Sequence, residues 1–319
     1  MTARAARTLL IGLARVGLSV ALVSFVVWKV GVGDLAARLH HVNGWSVAAS
    51  AALLCITILL HAWRWMYVLG SLGYGWRFSE ASRETWIGYL FNQVLPTSAG
   101  GDGVRVLRLF RLKVPIGPAF RSVLYERFFA LAVVVLLGLP AVPLLLSLPS
   151  TAPATIVVCI AEASGVVGFG LLLTRPPRLI ARLAISLARE IELLRRALLD
   201  RAHAPVALAV SALMQVVTTA AIVVLAHGLG IQPGTLMVLA LLIPPIMLLA
   251  MLPVSFAGWG LREGVMVAVL GEVGVAAPDA LLLSLVFGGV MLIVSLPGGA
   301  FLALGARGDH LPIVREPGR

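Results

Sequence analysis

The chain alternates long apolar runs with short polar ones, and the apolar runs fall into two length classes. Residues 9–28, 45–69, 119–145, 152–173, 205–229 and 280–304 are long enough to form helices that cross a bilayer, for which about 20 apolar residues suffice. Residues 84–95 and 104–112 instead flank a polar, glycine-rich break, and residues 235–252 and 261–270 flank another. Backbone that leaves the helix at membrane depth is tolerated only where protein or a water-filled cavity surrounds it. Each flanked break therefore predicts a re-entrant helical hairpin, one at 84–112 and one at 235–271. The expected fold is an all-α polytopic membrane protein with six spanning helices plus two re-entrant helical hairpins.

The two breaks read as copies of each other. Leu95-Pro96-Thr97-Ser98-Ala99-Gly100-Gly101-Asp102-Gly103-Val104-Arg105 aligns without a gap to Leu252-Pro253-Val254-Ser255-Phe256-Ala257-Gly258-Trp259-Gly260-Leu261-Arg262. The pairs Leu95/Leu252, Pro96/Pro253, Ser98/Ser255, Gly101/Gly258, Gly103/Gly260 and Arg105/Arg262 are identical, too many for two unrelated polar loops. The same register overlays run 45–69 on 205–229 and run 119–145 on 280–304. The chain thus divides into a first repeat at 1–150 (two spans, a hairpin, a span) and a second at 151–319 (span, polar segment, span, hairpin, span). Paired, Gly/Pro-interrupted apolar segments are the best sequence pointer to a binding site in a membrane transporter.

Composition supports the membrane reading. The 319 residues are 60% hydrophobic and 12% charged, against about 45–50% and about 25% in soluble domains, and mean hydropathy is +1.01. The formal charge of +11 comes almost wholly from arginine, with Lys29 and Lys113 as the lysines. Its distribution argues for the positive-inside rule rather than for nucleic acid. Arg4 and Arg7, Arg77 and Arg83, the cluster 105–121, the stretch 175–201 and the tail 307–319 are the basic segments; the loops around Pro149, Gly230 and Ala276 are nearly free of cations, and 31–44 has only Arg38. Six crossings with two hairpins put every basic segment on the cytoplasmic side, both termini included. The halves then start from opposite faces, which makes them an inverted-topology repeat in the cell inner membrane. The N-terminal run is longer than a signal core and lacks a clear cleavage site, so it is expected to be the first span. Segment 178–201 has helical apolar spacing and fits either a helix lying on the inner leaflet or a plain cytoplasmic connector.

The candidate chemistry lies at the breaks and in the spans. Each break ends where a helix begins, and a helix N-terminus offers free N–H groups and the positive end of a dipole. Gly101, Gly103, Gly258 and Gly260 let backbone close on an anion without a Cβ in the way. Arg105 and Arg262 follow within about a turn, where a guanidinium suits bidentate contact with a phosphate; the obvious anion here is a lipid headgroup. The matched Ser98 and Ser255, together with Glu263, complete the two hairpin sets. Asp102 is expected as an N-cap, paired with Arg105, in preference to a proton carrier. Arg105 also reads as an inside orientation charge, an explanation that Arg262 near the outer face escapes. Ionisable residues within spans are candidates by default: Arg64 one turn from His61, Glu126 and Arg127, and Glu162. For Glu126 and Glu162, ion-pair structure and a proton or headgroup role both stand. Ser211, Gln215, Thr218 and Thr219 make a polar stripe best explained as interhelical glue. Cys55 and Cys159 lie in apolar runs and support neither a disulfide framework nor a zinc site. No paired-aspartate, Walker or nucleophile-elbow signature is present, so no enzyme activity, metal or cofactor is expected.

Several of these residues carry a family resemblance. Leu95 through Asp102, Val104-Arg105, Ser122-Val123-Leu124-Tyr125-Glu126-Arg127 and Leu252 through Glu263 resemble the lysylphosphatidylglycerol synthase transmembrane-region family, also called flippase-like domain proteins. Arg64-Trp65 and Ser295-Leu296-Pro297-Gly298-Gly299 fit the same pattern. The resemblance implies a lipid flippase or scramblase that moves an anionic or phosphate-bearing lipid between leaflets of the cytoplasmic membrane. It also implies a stand-alone member without the synthase domain of the bifunctional proteins, with membrane lipids as partners and a separately encoded lipid-modifying enzyme as a further one. Two other functions fit the residues: a non-transporting membrane subunit of a lipid-modifying or glycosylation system, and a secondary transporter for a small anionic solute.

Overall fold

The structure is a computed structural model, and it describes residues 20–21, 24–28, 38, 42–95, 100–147, 153–174, 185–251 and 259–305. The first expected span, 9–28, lies largely outside the described residues, as do the break residues 96–99 and 252–258 with Ser98, Ser255 and Gly258. The described residues are all-helical, with no strand. Twelve helices are bounded by them: α1 Gly44–Ser71, α2 Phe78–Val94, α3 Gly100–Arg111, α4 Ile116–Gly138, α5 Ala141–Ser147, α6 Pro153–Thr174, α7 Ile185–Leu199, α8 Ala204–Gly228, α9 Pro233–Ala250, α10 Leu261–Glu272, α11 Ala277–Ser295 and α12 Pro297–Gly305.

Four helical stretches are long and apolar enough to cross a membrane: Gly44–Ser71, Thr155–Thr174, Ala204–Gly228 and Ala277–Leu304, the last joining α11 to α12. The expected span at 119–145 is not one straight helix. It bends by 50° between α4 and α5, because Pro140 has no N–H to continue the ladder and its ring crowds the preceding turn. Hydropathy runs unbroken across that bend, which is why apolar content alone reads it as a single span. The short helices are also longer than their apolar cores. α2 starts at Phe78, on polar residues, and α3 starts at Gly100, inside the break itself.

Element lengths recur in order along the chain. Helices of 28, 17, 12, 23 and 7 residues (α1–α5) are answered by helices of 25, 18, 12, 19 and 9 residues (α8–α12). The ends match as well. α1 closes with Tyr74 N–H on the Leu69 carbonyl around Gly73 (φ 93°), and α8 closes with Ile231 N–H on the Ala226 carbonyl around Gly230 (φ 78°). Both are Schellman closures, in which the residue past the cap takes the left-handed conformation that glycine adopts at no steric cost.

α1 and α8 pack along each other as the central pair; α9 and α11 close around them, and α10 packs on α9 and α11. Leu54, Ile58, Ala221, Ile222, Leu225, Ile243, Met266 and Val290 belong to that core. In a bilayer, lipid offers an equally apolar alternative, so close approach through small residues holds such helices together. At the α1–α8 contact a Cβ on Gly228 would stand 2.3 Å from Ser46 Oγ. On the other side, Trp65, Leu69, Leu109, Val114 and Ala119 join α1, α3 and α4. That packing aims three helices at one place.

Candidate functional site

The hairpin of α2 and α3 is held by glycine contact and one ion pair. A Cβ on Gly101 would lie 1.9 Å from the Gly88 carbonyl oxygen, so the two helices touch backbone to backbone. Gly101 N–H donates to Asn92 Oδ1 at 2.8 Å. Arg108 grips Glu84 through two nitrogens, with Nη2 on Oε1 at 2.7 Å. Gly88 also clears a path for Arg105, whose Cδ would be 2.8 Å from a Cβ there. The stem of Arg105 therefore crosses α2 and brings the guanidinium to α1 and α4.

Glu126 is the centre of what Arg105 meets. It is 1% exposed on α4, ion-paired with Arg105, 3.2 Å from Arg64 Nε and 3.4 Å from His61 Nε2. Arg64 also donates from Nη1 to Ser211 Oγ at 2.6 Å, which ties α8 into the cluster. Arg105 Nη1 lies 3.2 Å from His61 Nε2, and His61 Nδ1 lies 3.2 Å from the Tyr89 hydroxyl. The Arg105 guanidinium stacks 3.7 Å above the Trp65 ring, whose indole N–H is fixed by Ser122 Oγ at 3.2 Å. A planar cation held against an aromatic face, with carboxylate and imidazole at its edge, is held in one orientation.

Asp102 does not cap its helix. α3 begins two residues earlier, at Gly100, and Asp102 sits in the first turn. There it pairs with Arg127 and stands 3.6 Å from Arg105 Nη1. A carboxylate in the first helical turn is favoured by the dipole, and this one joins α3 to α4.

These groups line a cavity of about 310 Å³. Its wall carries the guanidinium groups of Arg64, Arg105 and Arg127 against the carboxylates of Asp102 and Glu126. Cations are in excess, in a space of low dielectric where charge is weakly screened. A second cavity of about 260 Å³ shares Arg64, Tyr89, Ala130, Ala250, Met251 and Met291 with it and adds Leu54, Val134, Met247 and Phe287. Ser211, Gln215 and Thr218 also line this second space. The α8 stripe expected as glue does bridge helices, with Thr218 Oγ1 3.5 Å from Thr57 Oγ1, but it also forms a cavity wall. The result is one polar chamber opening beside a mostly apolar one.

Arg262 and Glu263 are elsewhere. Arg262 Nη2 lies 2.7 Å from Glu263 Oε1, while its Nε donates to Ser284 Oγ at 2.9 Å and Nη2 to the Ser284 carbonyl at 3.1 Å. Ser284 Oγ donates to the same Glu263 oxygen at 2.9 Å. Glu263 Oε2 accepts the N–H of Gly260, which takes φ 88° at the start of α10. The structure does not bring Arg262 to the cavity that Arg105 lines; nearby serine and glutamate satisfy it instead. Of the glycines, Gly103 has open space where a Cβ would go. Glu162 is also apart, on α6 against Gly138 at the end of α4.

His61, Tyr89, Asn92 and Ser211 complete the site: the sequence marks His61 only as a neighbour of Arg64 and Ser211 only as interhelical glue, and it does not mark Tyr89 or Asn92. His61 carried a signal, one turn from Arg64 on one helix face. Ser211, Gln215 and Thr218 carried another in their helical spacing. Tyr89 and Asn92 carried none, since they sit within the apolar half of the hairpin.

The cluster uses the residues on which the resemblance rested: Arg64-Trp65, Arg105 and Glu126-Arg127 meet at one point. Gly298, from the Ser295–Gly299 motif, lies where a Cβ would be 2.3 Å from the Trp86 carbonyl oxygen, so that motif packs α12 on α2. No curated protein and no solved structure matches the chain. Residues 12–299 match the family described as Lysylphosphatidylglycerol synthase TM region. With several helices apolar and long enough to span, and with that match over most of its length, the chain is a multi-pass membrane protein belonging to the lysylphosphatidylglycerol synthase TM-region family.

Proposed function

We propose that the protein moves an anionic, phosphate-bearing lipid between the leaflets of the cytoplasmic membrane. The observation that carries this reading is the paired chamber: a cavity with excess guanidinium charge beside one lined mainly by apolar side chains. A phospholipid has the same division, a phosphate on an apolar tail. The phosphate would displace part of the Arg105–Glu126 and Arg64–Glu126 pairing and take bidentate donors from the two guanidiniums. Glu126 and the Trp65 ring hold Arg105 in place before the lipid arrives, so little side-chain ordering is left for binding. Gln215 and Thr218 offer neutral polar contacts just beyond the charged wall.

The architecture that goes with this function is an inverted repeat of six spans and two re-entrant hairpins, with both termini in the cytoplasm. The recurring order of helix lengths, the shared α1 and α8 closures and the matched breaks support it, as do the arginine-rich segments at 105–121 and 175–201. A separately encoded lipid-modifying enzyme would supply the cargo, and the chain itself carries out no covalent chemistry.

Flux of a headgroup-labelled anionic phospholipid in proteoliposomes tests the proposal. Wild-type protein should speed the loss of label from the outer leaflet, and Arg105→Ala protein of equal fold should not. Wild-type flux no faster than empty liposomes would leave a membrane subunit without transport. Flux of small anions without lipid flux would make the protein a solute transporter.

A further inference from the structure

Glu162 has a place in the structure that the headgroup cavity does not explain. It lies near the middle of α6, 1% exposed, and neither carboxylate oxygen has a hydrogen-bond partner. A buried ionised carboxylate without a partner is among the costliest arrangements a membrane protein can hold. Its surroundings make the anion less acceptable still. Oε1 stands against Gly138, so close that a Cβ there would be 2.1 Å away. Gly138 ends α4, at the 50° bend into α5. Pro140 has no N–H to give the Leu136 carbonyl, and the Val142 N–H goes to the Leu139 carbonyl at 3.1 Å rather than back to Gly138. The carboxylate therefore faces the carbonyl end of a helix, where acceptors lack donors and the dipole is negative.

Two sets of acceptors facing each other call for a positive charge or a proton between them. Broken helix ends in transporters take up sodium or protons in this way. With Oε1 this close to Gly138, a proton is the occupant that needs no further room. We propose that Glu162 and the carbonyl end of α4 form a proton-binding site, in which the carboxyl group is held as the neutral acid and donates its O–H to a carbonyl freed by the break. This site stands apart from the headgroup cavity and does not depend on that reading.

The neighbouring charges fit a neutral acid. On α6 the nearest titratable group is Cys159. α5 and α9 carry no charged residue. On α4 the charged residues Arg121, Glu126 and Arg127 begin eleven residues back, about 16 Å along the axis. On α10, Arg262 and Glu263 are paired with each other, and Glu272 is the last, partly exposed residue. The charges of α7 lie toward the far end of α6, where Arg195 donates to the Leu173 carbonyl. Among the described residues, no cation faces Glu162 from any helix packed on it.

Dicyclohexylcarbodiimide, which reaches membrane carboxyls through lipid and adds only to the protonated acid, tests the site on the full chain in lipid nanodiscs. Mass mapping should find the adduct on Glu162 at neutral pH, falling in alkaline buffer. It should be the same in sodium chloride as in choline chloride of equal strength. Glu162→Gln, which keeps a donor of nearly the same shape, should remain folded and lose the adduct on α6. An infrared difference spectrum, wild type minus Glu162→Gln, should show the C=O stretch of a protonated carboxyl. A spectrum without that band would overturn the proposal, as would labelling that does not change with pH. Protection by sodium would overturn it too, by assigning the site to a metal ion.

Discussion

The two arginines that follow the matched breaks share a motif and differ in everything around it. Both are buried, at 2% exposure for Arg105 and 7% for Arg262, and both lie over a tryptophan. Arg105 takes its partners from α1 and α4, across the bundle, and its cluster opens on a cavity. Arg262 takes its partners from the adjacent Glu263 and from Ser284 on α11. The register that aligns the breaks explains the difference. It sets Thr218, Ala221 and Leu283 opposite His61, Arg64 and Glu126, so the second half has no charged wall for its arginine to face. One of the two matched segments lines a chamber and the other forms a staple. Motif identity alone does not distinguish them; the residues on the facing helices do.

The sharpest way to break that contrast is at Glu126. Glu126→Ala leaves Arg64, Arg105 and His61 with no shared anion, and breaking a buried pair from one side costs about 3–5 kcal/mol. Thermal unfolding in nanodiscs should show the largest drop of any single variant, with lipid flux lost as well. Glu263→Ala should also destabilise, but the flux remaining per folded molecule should stay near wild type. A smaller drop for Glu126 than for Glu263 would reverse the assignment of chamber and staple.

The glycines come next. Gly101→Ala drives a methyl into the Gly88 carbonyl at 1.9 Å, and overpacking of this kind costs about 1–3 kcal/mol or more. Gly103→Ala meets nothing within 4 Å and should change stability by less than about 0.5 kcal/mol. Equal behaviour of the two in a melting series would mean that α2 and α3 are not in backbone contact.

The smallest effect belongs outside the bundle. Arg121 grips Glu190 on α7 with nitrogen–oxygen distances of 2.8 and 2.6 Å, and the side-chain hydrogen bond from Arg121 holds the Glu190 carboxyl below its ordinary range. Both side chains are partly exposed, so the pair is worth about 0.2–1 kcal/mol. Its contribution is present above the unfolded glutamate value of about 4.3 and is lost as pH falls through the lowered folded value. Glu190→Gln should therefore lower the melting temperature slightly at neutral pH and not at all in strong acid.

Much of the fold was legible in the sequence, and the reasons are particular. Spans such as α1, α6 and α8 announce themselves by apolar length, and lipid-facing helices have little else to satisfy. The bend at Pro140 was hidden because both sides of it are apolar. α2 runs past its apolar core to Phe78 through the polar stretch 79–83, which hydropathy does not register as part of the hairpin. In the site, Arg64, Arg105, Asp102, Glu126 and Arg127 could be named singly as ionisable groups placed where charge is costly. Their convergence could not, since it depends on α1, α3 and α4 meeting around Trp65. The expectation that Arg105 and Arg262 play equivalent phosphate-binding roles came from symmetry of sequence. It gave no weight to Glu263, the residue next to Arg262, or to Ser284 as partners.

One comparison bears most directly on the chamber: headgroup-labelled lipid flux, normalised to folded protein, for Arg105→Ala, Arg262→Ala and the double variant. Arg105→Ala should abolish flux per folded molecule. Arg262→Ala should lower stability while preserving flux per folded molecule, and the double variant should combine the two effects independently. Loss of flux in both single variants, with no further loss in the double, would place both arginines on one ligand and contradict the separation of chamber from staple.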